Sequence, residues 1–369
     1  MKHGLDELLR DLNPQQQAAV RHGREPLLIV AGAGTGKTTT LVHRVARLIA
    51  EGADPRRILL LTFTRRASAE MIRRVDGVVA RWRTHTGQGA GGAGFSAPTS
   101  SRVWGGTFHA VAMQLLRMHG ASIGLEPHFT IHDRGDSEDL MDVARSGLDL
   151  VKSDKRFPRK STCMAIYSRC INSRMRLEDV IEAGYPTCEP FIPELKKLFL
   201  AYIDLKAQGA IVDYDDLLLF WLNLLEDEVA GDAVRRRFDC VLVDEYQDTN
   251  VLQSDVLKNL RPGGEGLTVV GDDAQSIYSF RAATIRNILD FPTDFPGATV
   301  LPLEQNYRST QPLLDATNAV IAQATERLEK KLWTTRTGGE RPQLVSCGDE
   351  DDQADFIVRT ILDQYEAGV

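Results

Sequence analysis

Cysteine is sparse in this sequence, long apolar runs are missing, and positive charge is outnumbered. The five cysteines, Cys163, Cys170, Cys188, Cys240 and Cys347, stand far apart without a Cys-x-x-Cys pair. That spacing excludes a zinc ribbon, an iron–sulfur cluster and a disulfide framework, and the residues read as reduced thiols. No stretch reaches the roughly 18 consecutive apolar residues that cross a bilayer. The opening MKHGLDELLRDLNPQQQ has neither an apolar signal core nor a small-residue cleavage pattern. A cytoplasmic protein without a membrane partner is expected. His128 and His132 lie four apart in an extended-looking HFTIH, with no helical acid between them, so they read as loop or core histidines. The net charge of −7 argues against nucleic acid being gripped by bulk positive charge, so any such contact must be local.

What is present is enough material for two or three domains: 369 residues, 43% of them hydrophobic. The chain begins with a strand, PLLIV, a glycine-rich turn, and a helix from Lys37 to about Ala50 that places Leu41, Val45, Leu48 and Ile49 on one face. A second strand, ILLLTF, ends at Phe63 and leads into a helix near Ala67, giving the strand–helix rhythm of a parallel sheet. Residues 84–101 are rich in Gly, Ala, Ser and Thr and read as a surface loop. From about Val111 to Ala210 amphipathic runs follow one another without strands, which predicts a helical insertion. The rhythm then resumes with FDCVLVDE, GLTVVGDD and ATVLPLEQ, and a last unit, QLVSC followed by a helix from roughly Asp352 to Tyr365, ends the sequence.

Three places carry chemistry. AGAGTGKT, spanning Ala31, Gly32, Ala33, Gly34, Thr35, Gly36, Lys37 and Thr38, follows a strand and opens a helix, as a phosphate-binding loop must. Its glycines let backbone amides turn onto phosphates, Lys37 suits the β- and γ-phosphates, and the Thr38 hydroxyl suits Mg²⁺. CVLVDE puts Asp244 and Glu245 at the carboxyl end of a strand, where one carboxylate can serve a metal and the other can take a proton from water. VVGDDAQSIYSFRAA sets the neutral amide of Gln275 after a third strand, with Tyr278, Phe280 and Arg281 directly beyond it. An uncharged amide can report a γ-phosphate, and flat rings suit base stacking. Tyr278 and Phe280 serve equally well as interdomain core on spacing alone.

The order of these motifs resembles the superfamily 1 DNA helicases of the UvrD/Rep/PcrA type. The resemblance rests on LNPQQQAAV at 12–20, AGAGTGKT, LTFTRRASAEM at 61–71, GTFHA at 106–110, VDEYQDTN at 243–250, VGDDAQSIYSFRAA and LEQNYRST at 303–310, and extends to KKLW at 330–333. It implies a P-loop NTPase of α/β class with a RecA-like parallel sheet core, a helical insertion subdomain and an incomplete second RecA-like domain. The segments are residues 1–110 and 213–283 for the first core, 111–212 for the insertion and 284–369 for the partial second core. By the resemblance Gln16 reads adenine, Tyr307 stacks on it, and Arg308 reaches the γ-phosphate from the second core. Phe63, Thr64, Arg65, Thr107, Tyr278, Phe280 and Arg281 fall where relatives contact single-stranded DNA. ATP and Mg²⁺ are the implied cofactors, and single-stranded DNA with its duplex junctions is the implied partner, with 3′ to 5′ movement.

The sequence also departs from that pattern. Thr39 stands where relatives commonly have an arginine against adenine, Ala274 where an acid is frequent, and Phe280 where tryptophan is frequent, which keeps a stacking face and loses the indole donor. Nothing after Arg308 resembles the final helicase motifs, so a front portion of a longer polypeptide, or a second core completed by another chain, is expected. Two rivals to a translocating motor follow: an ATPase subunit of a helicase–nuclease assembly, and a non-catalytic DNA- or partner-binding fragment. The arginines 65, 66, 73, 74, 81 and 83 and the basic run at 151–160 read first as solvated surface.

Overall fold

The computed structural model describes residues 2–86, 103–150 and 156–368. Most of the expected loop at 84–101, and the first half of the basic run at 151–160, lie outside the described residues. Within them, eight strands occur in chain order: β1 (Leu27–Ala31), β2 (Ile58–Thr62), β3 (Trp104–Thr107), β4 (Thr130–Ile131), β5 (Ile211–Val212), β6 (Cys240–Val243), β7 (Leu267–Gly271) and β8 (Thr299–Leu303). Six of them form one parallel sheet in the order β3–β2–β6–β7–β1–β8.

Why the strands read as unbroken apolar runs is visible in their two faces. Leu28, Val30, Leu59, Leu61, Val241 and Val243 pack on one side with helices Phe108–His119, Tyr214–Glu226 and Val251–Leu260. Their neighbours Leu27, Ile29, Ala31, Ile58, Leu60 and Leu242 pack on the other with helices Lys37–Ala50 and Arg65–Thr86. A parallel sheet covered on both faces needs apolar residues at every position. Its loops therefore leave the carboxyl ends of β1, β6 and β7 side by side, where open α/β sheets bind ligands.

The insertion has its own core, built from Met141, Cys163, Ile166, Tyr167, Ile181, Leu195, Leu198 and Tyr202 among others. Helix Phe108–His119 is not part of it; that helix packs against Tyr214–Glu226 beneath the sheet. The insertion also contains what the sequence did not suggest, a two-residue parallel pairing of β4 with β5 at its root. Buried Lys206 fixes this root, with Nζ 2.7 Å from Asp213 Oδ2 and 2.6 Å from Asp216 Oδ2, the two residues that form the capping box of helix Tyr214–Glu226. A buried cation held by two carboxylates tolerates the loss of no member, since the remainder would be left buried and unpaired.

Two expectations need correction. The strand in ATVLPLEQ, assigned to a second core starting at residue 284, is β8, paired in register with β1 from Leu27↔Thr299 to Ala31↔Leu303. The first sheet thus continues to Leu303. QLVSC forms no strand: residues 342–347 have no regular structure and Leu344 is 96% exposed. An isolated strand leaves its backbone groups without a ladder, so a strand-like sequence alone does not make one. The helix after it does form, over Glu350–Glu366, because Asp349 caps it by accepting the N–H of Asp352 at 2.9 Å and its first turn is acidic.

Candidate functional site

β1 ends at Ala31, and the chain turns through Gly32–Gly36 into helix Lys37–Ala50. Gly34 and Gly36 have φ of +79° and +85°, the left-handed region that side chains resist. Gly34 is constrained twice, since a Cβ there would fall 2.7 Å from Cβ of Arg308. Thr35 folds the loop onto itself by donating its hydroxyl to the Gly32 carbonyl at 2.8 Å. Gly36 caps the helix and no side chain accepts from its first turn, which leaves those N–H groups and the positive helix end directed at the loop.

Facing this loop, Glu245 Oε2 lies 3.1 Å from Lys37 Nζ. Glu245 itself adopts φ of +52°, a conformation costing about 1–3 kcal/mol for a side-chain-bearing residue and commonest at functional sites. Its N–H donates to Asp244 Oδ1 at 3.1 Å. Asp244 is only 8% exposed, and burial, followed by the charge of Glu245, raises its pKa to about 6 against the pull of Lys37. Burial and Glu245 raise Asp248 to about 6 in the same way. A folded pKa above the unfolded one means that the folded state binds more protons between about pH 4 and pH 6, so stability falls as pH rises through that window. Asp244→Asn is therefore expected to raise the metal-free thermal midpoint at pH 7.5 by about 2–4 °C and to have little effect at pH 4. Thermal melts at the two pH values check this; an equal shift at both would remove burial of the charge as the cause.

At the other end of the loop Gln16 is buried, donating from Nε2 to the Thr35 carbonyl at 3.0 Å and accepting the N–H of Asn13 at 3.1 Å. Its helix, Pro14–Arg21, is held by buried Arg44, which donates to the carbonyls of Ala19, His22 and Gly23 and to the Thr268 hydroxyl on β7. Segment 304–310 docks onto the same loop. Asn306 donates to the Ala33 carbonyl at 2.6 Å and accepts the N–H groups of Arg308 and Ser309, while Tyr307 N–H donates to the Gly34 carbonyl at 2.9 Å. Gln16, Gly34, Gly36, Thr39, Tyr307 and Arg308 consequently line one cavity of about 430 Å³. Tyr307 is 45% exposed, with its hydroxyl accepting from Asn13 at 2.9 Å. Thr38 sits partly buried in the first helical turn.

The turn after β7 is anchored at its start. Gln275 donates its side-chain amide to Asp272, and Asp272 and Asp273 both pair with Lys330, all three being buried. Beyond this anchor the ring of Tyr278 stands 4.9 Å from Phe63 and 5.8 Å from Phe280, centroid to centroid. Phe280 is 72% exposed. Phe63 and Phe280 line a second cavity, of about 420 Å³, with His109, Arg169 and Asp248. Enclosure lowers the pKa of His109 to about 4, so it is neutral there. The backbone of Arg281 closes a short helical turn, Ser279–Arg281. Two expected contact residues have local work: Thr64 accepts the N–H of Ala67 at 3.1 Å, and Thr107 caps helix Phe108–His119 by accepting the N–H of Ala110 at 3.3 Å. Arg65 is exposed at the start of its helix.

The structure thus groups Gln16, the loop, Tyr307 and Arg308 at one cavity, Lys37 with Glu245 beside Asp244, and Phe63 with Phe280 at another, the Tyr278 ring adjoining both. Sequence reasoning missed Asn306, Gln247, Asp272 and Lys330, although each lies inside or beside a motif already singled out.

A doubly covered parallel sheet with a glycine loop after β1 and acids after β6 defines a P-loop nucleoside triphosphatase core of the RecA-like kind. Residues 12–296 match the family model for the UvrD/REP helicase N-terminal domain, and residues 301–367 that for the UvrD-like helicase C-terminal domain. The chain belongs to the UvrD/REP helicase family. Among curated proteins it is 36% identical over 361 residues to the ATP-dependent DNA helicase PcrA of Leuconostoc citreum, covering 97% of this chain and 45% of that one. It is 35% identical over 370 residues to the PcrA of Staphylococcus epidermidis, covering 99% and 47%. The chain spans about half the length of the curated relatives it matches.

Proposed function

We propose that the chain carries the ATP-hydrolysing and single-stranded-DNA-contacting part of a DNA helicase, coupling Mg-ATP turnover to 3′ to 5′ movement along DNA. The observation that carries this reading is the single turn 272–283, whose first residues hold Gln275 beside the sheet's ligand edge and whose last residues join the aromatic group of Phe63, Tyr278 and exposed Phe280.

In this reading adenine enters the cavity between Gln16 and Tyr307, and the glycine-loop amides with Lys37 take the phosphates. Thr38 and Asp244 would hold Mg²⁺. A hydroxyl and one strand-end carboxylate suit an ion that keeps water and phosphate ligands, and a cation would stabilise the ionised form that burial disfavours at Asp244. When bound there, Mg²⁺ would supply neutralisation of phosphate charge. Glu245 accepts the proton of the attacking water, Gln275 contacts the γ-phosphate or that water, and Arg308 balances the charge that develops on it. Nucleobases stack on Tyr278 and Phe280, with Arg281 nearby for the DNA backbone.

Helix Glu350–Glu366 favours further protein beside this chain, because Phe356, Ile357, Ile361 and Leu362 are all exposed on it. That protein would be more of the same polypeptide or another chain completing the second core.

Stacking on Phe280 is tested by Phe280→Ala. Loss of a base–aromatic contact of about 1–3 kcal/mol lowers single-stranded DNA affinity and DNA-stimulated ATPase by about tenfold, with a smaller loss of basal ATPase. Equal losses in stimulated and basal rates would assign Phe280 to packing instead.

A further inference from the structure

Gln247, in the short turn Tyr246–Asp248 after β6, is buried and joins groups that the sequence keeps apart. Its side-chain nitrogen donates to Glu245 Oε2 at 2.9 Å and to Asp248 Oδ2 at 3.3 Å. Its side-chain carbonyl accepts the N–H of Asp272 at 2.9 Å, and its main-chain carbonyl accepts the Ser276 hydroxyl at 3.3 Å. One residue therefore touches the carboxylate beside Lys37, both ends of the segment that carries Gln275, and Asp248, which lines the cavity with Phe63 and Phe280. A side-chain amide both donates and accepts here without adding charge to a site that already holds Asp244, Glu245 and Asp248. The neighbouring strand leaves room for it: a Cβ on Gly271 would come 2.8 Å from Gln247 Oε1.

We propose that Gln247 is a positioning residue that transmits DNA occupancy at the aromatic surface to Glu245. The inference rests on the function proposed above. A base seated on Tyr278 and Phe280 shifts the turn they end. Ser276 and the backbone of Asp272 are hydrogen-bonded to Gln247, so the shift reaches the amide. The amide's other bond holds Glu245 Oε2, the atom that also meets Lys37. Asp248 supplies a second route, since the same amide nitrogen bonds it at the cavity wall.

The test compares wild type, Gln247→Met and Gln247→Glu as full chains, measuring kcat and KM for ATP hydrolysis with and without a thymidine oligonucleotide. Methionine keeps the volume and removes the hydrogen bonds. The ratio of stimulated to basal rate is expected to fall about tenfold, equivalent to one lost bond, with KM for ATP changed by less than about twofold. Glutamate keeps the acceptor for Asp272 and sets a second carboxylate against Glu245, which already faces Lys37, Asp244 and Asp248. The like charge repels Glu245 from its place beside Lys37, so the DNA-stimulated kcat is expected to fall at least as far as in Gln247→Met, with KM for ATP again within about twofold. A stimulation ratio that survives in Gln247→Met overturns the inference. So does an equal loss of stimulated and basal rates in both variants, which would mark Gln247 as a packing residue. Wild type without any stimulation overturns the functional reading itself, and the inference with it.

Discussion

Lys37→Ala is expected to lower ATP hydrolysis by on the order of 10³-fold while leaving nucleotide-free binding of single-stranded DNA within about twofold of wild type. The lysine is the cation that the loop presents from the first turn of its helix, mostly buried and paired with Glu245 at 3.1 Å before any nucleotide arrives. Loss of one preorganised charge or donor aimed at developing negative charge costs about 10²–10³ in rate, and Lys37 also loses its hold on Glu245. The aromatic group is built from Phe63, Tyr278 and Phe280, which the substitution does not touch, so DNA affinity is the internal control. Rates from a coupled ATPase assay and affinities from fluorescence anisotropy separate the two. Turnover close to wild type would take Lys37 out of the site.

Arg308→Ala is expected to reduce kcat by on the order of 10³-fold or more, with Kd for ATP changed far less. The backbone of Arg308 is fixed to the phosphate loop through Asn306, which links its N–H to the Ala33 carbonyl. Its Cβ sits close enough to Gly34 to forbid a side chain there. A residue so placed starts near the phosphates whatever the rest of the second core does. Arg308→Lys is expected to restore little, because an ammonium is a point charge and the guanidinium spans two oxygens at once. Rapid-quench measurement of the chemical step checks the prediction. A variant that weakens ATP binding and kcat equally would place Arg308 in ground-state binding instead.

Much of the first core was legible because burial on both faces leaves only apolar residues in its strands, as in LLIVA and ILLLT. The phosphate loop was legible for a different reason, namely that phosphate contact needs glycines at fixed spacing before a helix. β3 escaped because its sequence is WGGT. A Cβ on Gly105 would run into Ile72 of helix Arg65–Thr86, so close packing there removed the side chains that mark a strand. β4 and β5, two residues each, are too short for any period to register. That ATVLPLE adds an edge to the first sheet is a fact of pairing with Leu27–Ala31, which its own residues do not encode.

The missed site residues share one cause. Asn306 acts through Ala33, Lys330 through Asp272 and Asp273, and Gln247 through both Glu245 and Asp272. Each is an ordinary polar residue until its distant partner is known. Glycine spacing and strand-end acids announce chemistry, whereas the side chains that aim them are defined by tertiary contacts alone. Thr64 and Thr107, assigned to DNA by resemblance, also accept backbone N–H groups at helix starts, a local role that only the tertiary structure displays.

Under the proposed function, nucleotide turnover at the glycine loop answers to unpaired DNA at the far end of turn 272–283. Steady-state hydrolysis of Mg-ATP by this chain, with and without a single-stranded thymidine oligonucleotide, tests it most directly. The rate is expected to be at least about tenfold higher with the oligonucleotide, and to return to the basal rate when the same strand is annealed to its complement. Equal rates under all three conditions would contradict it.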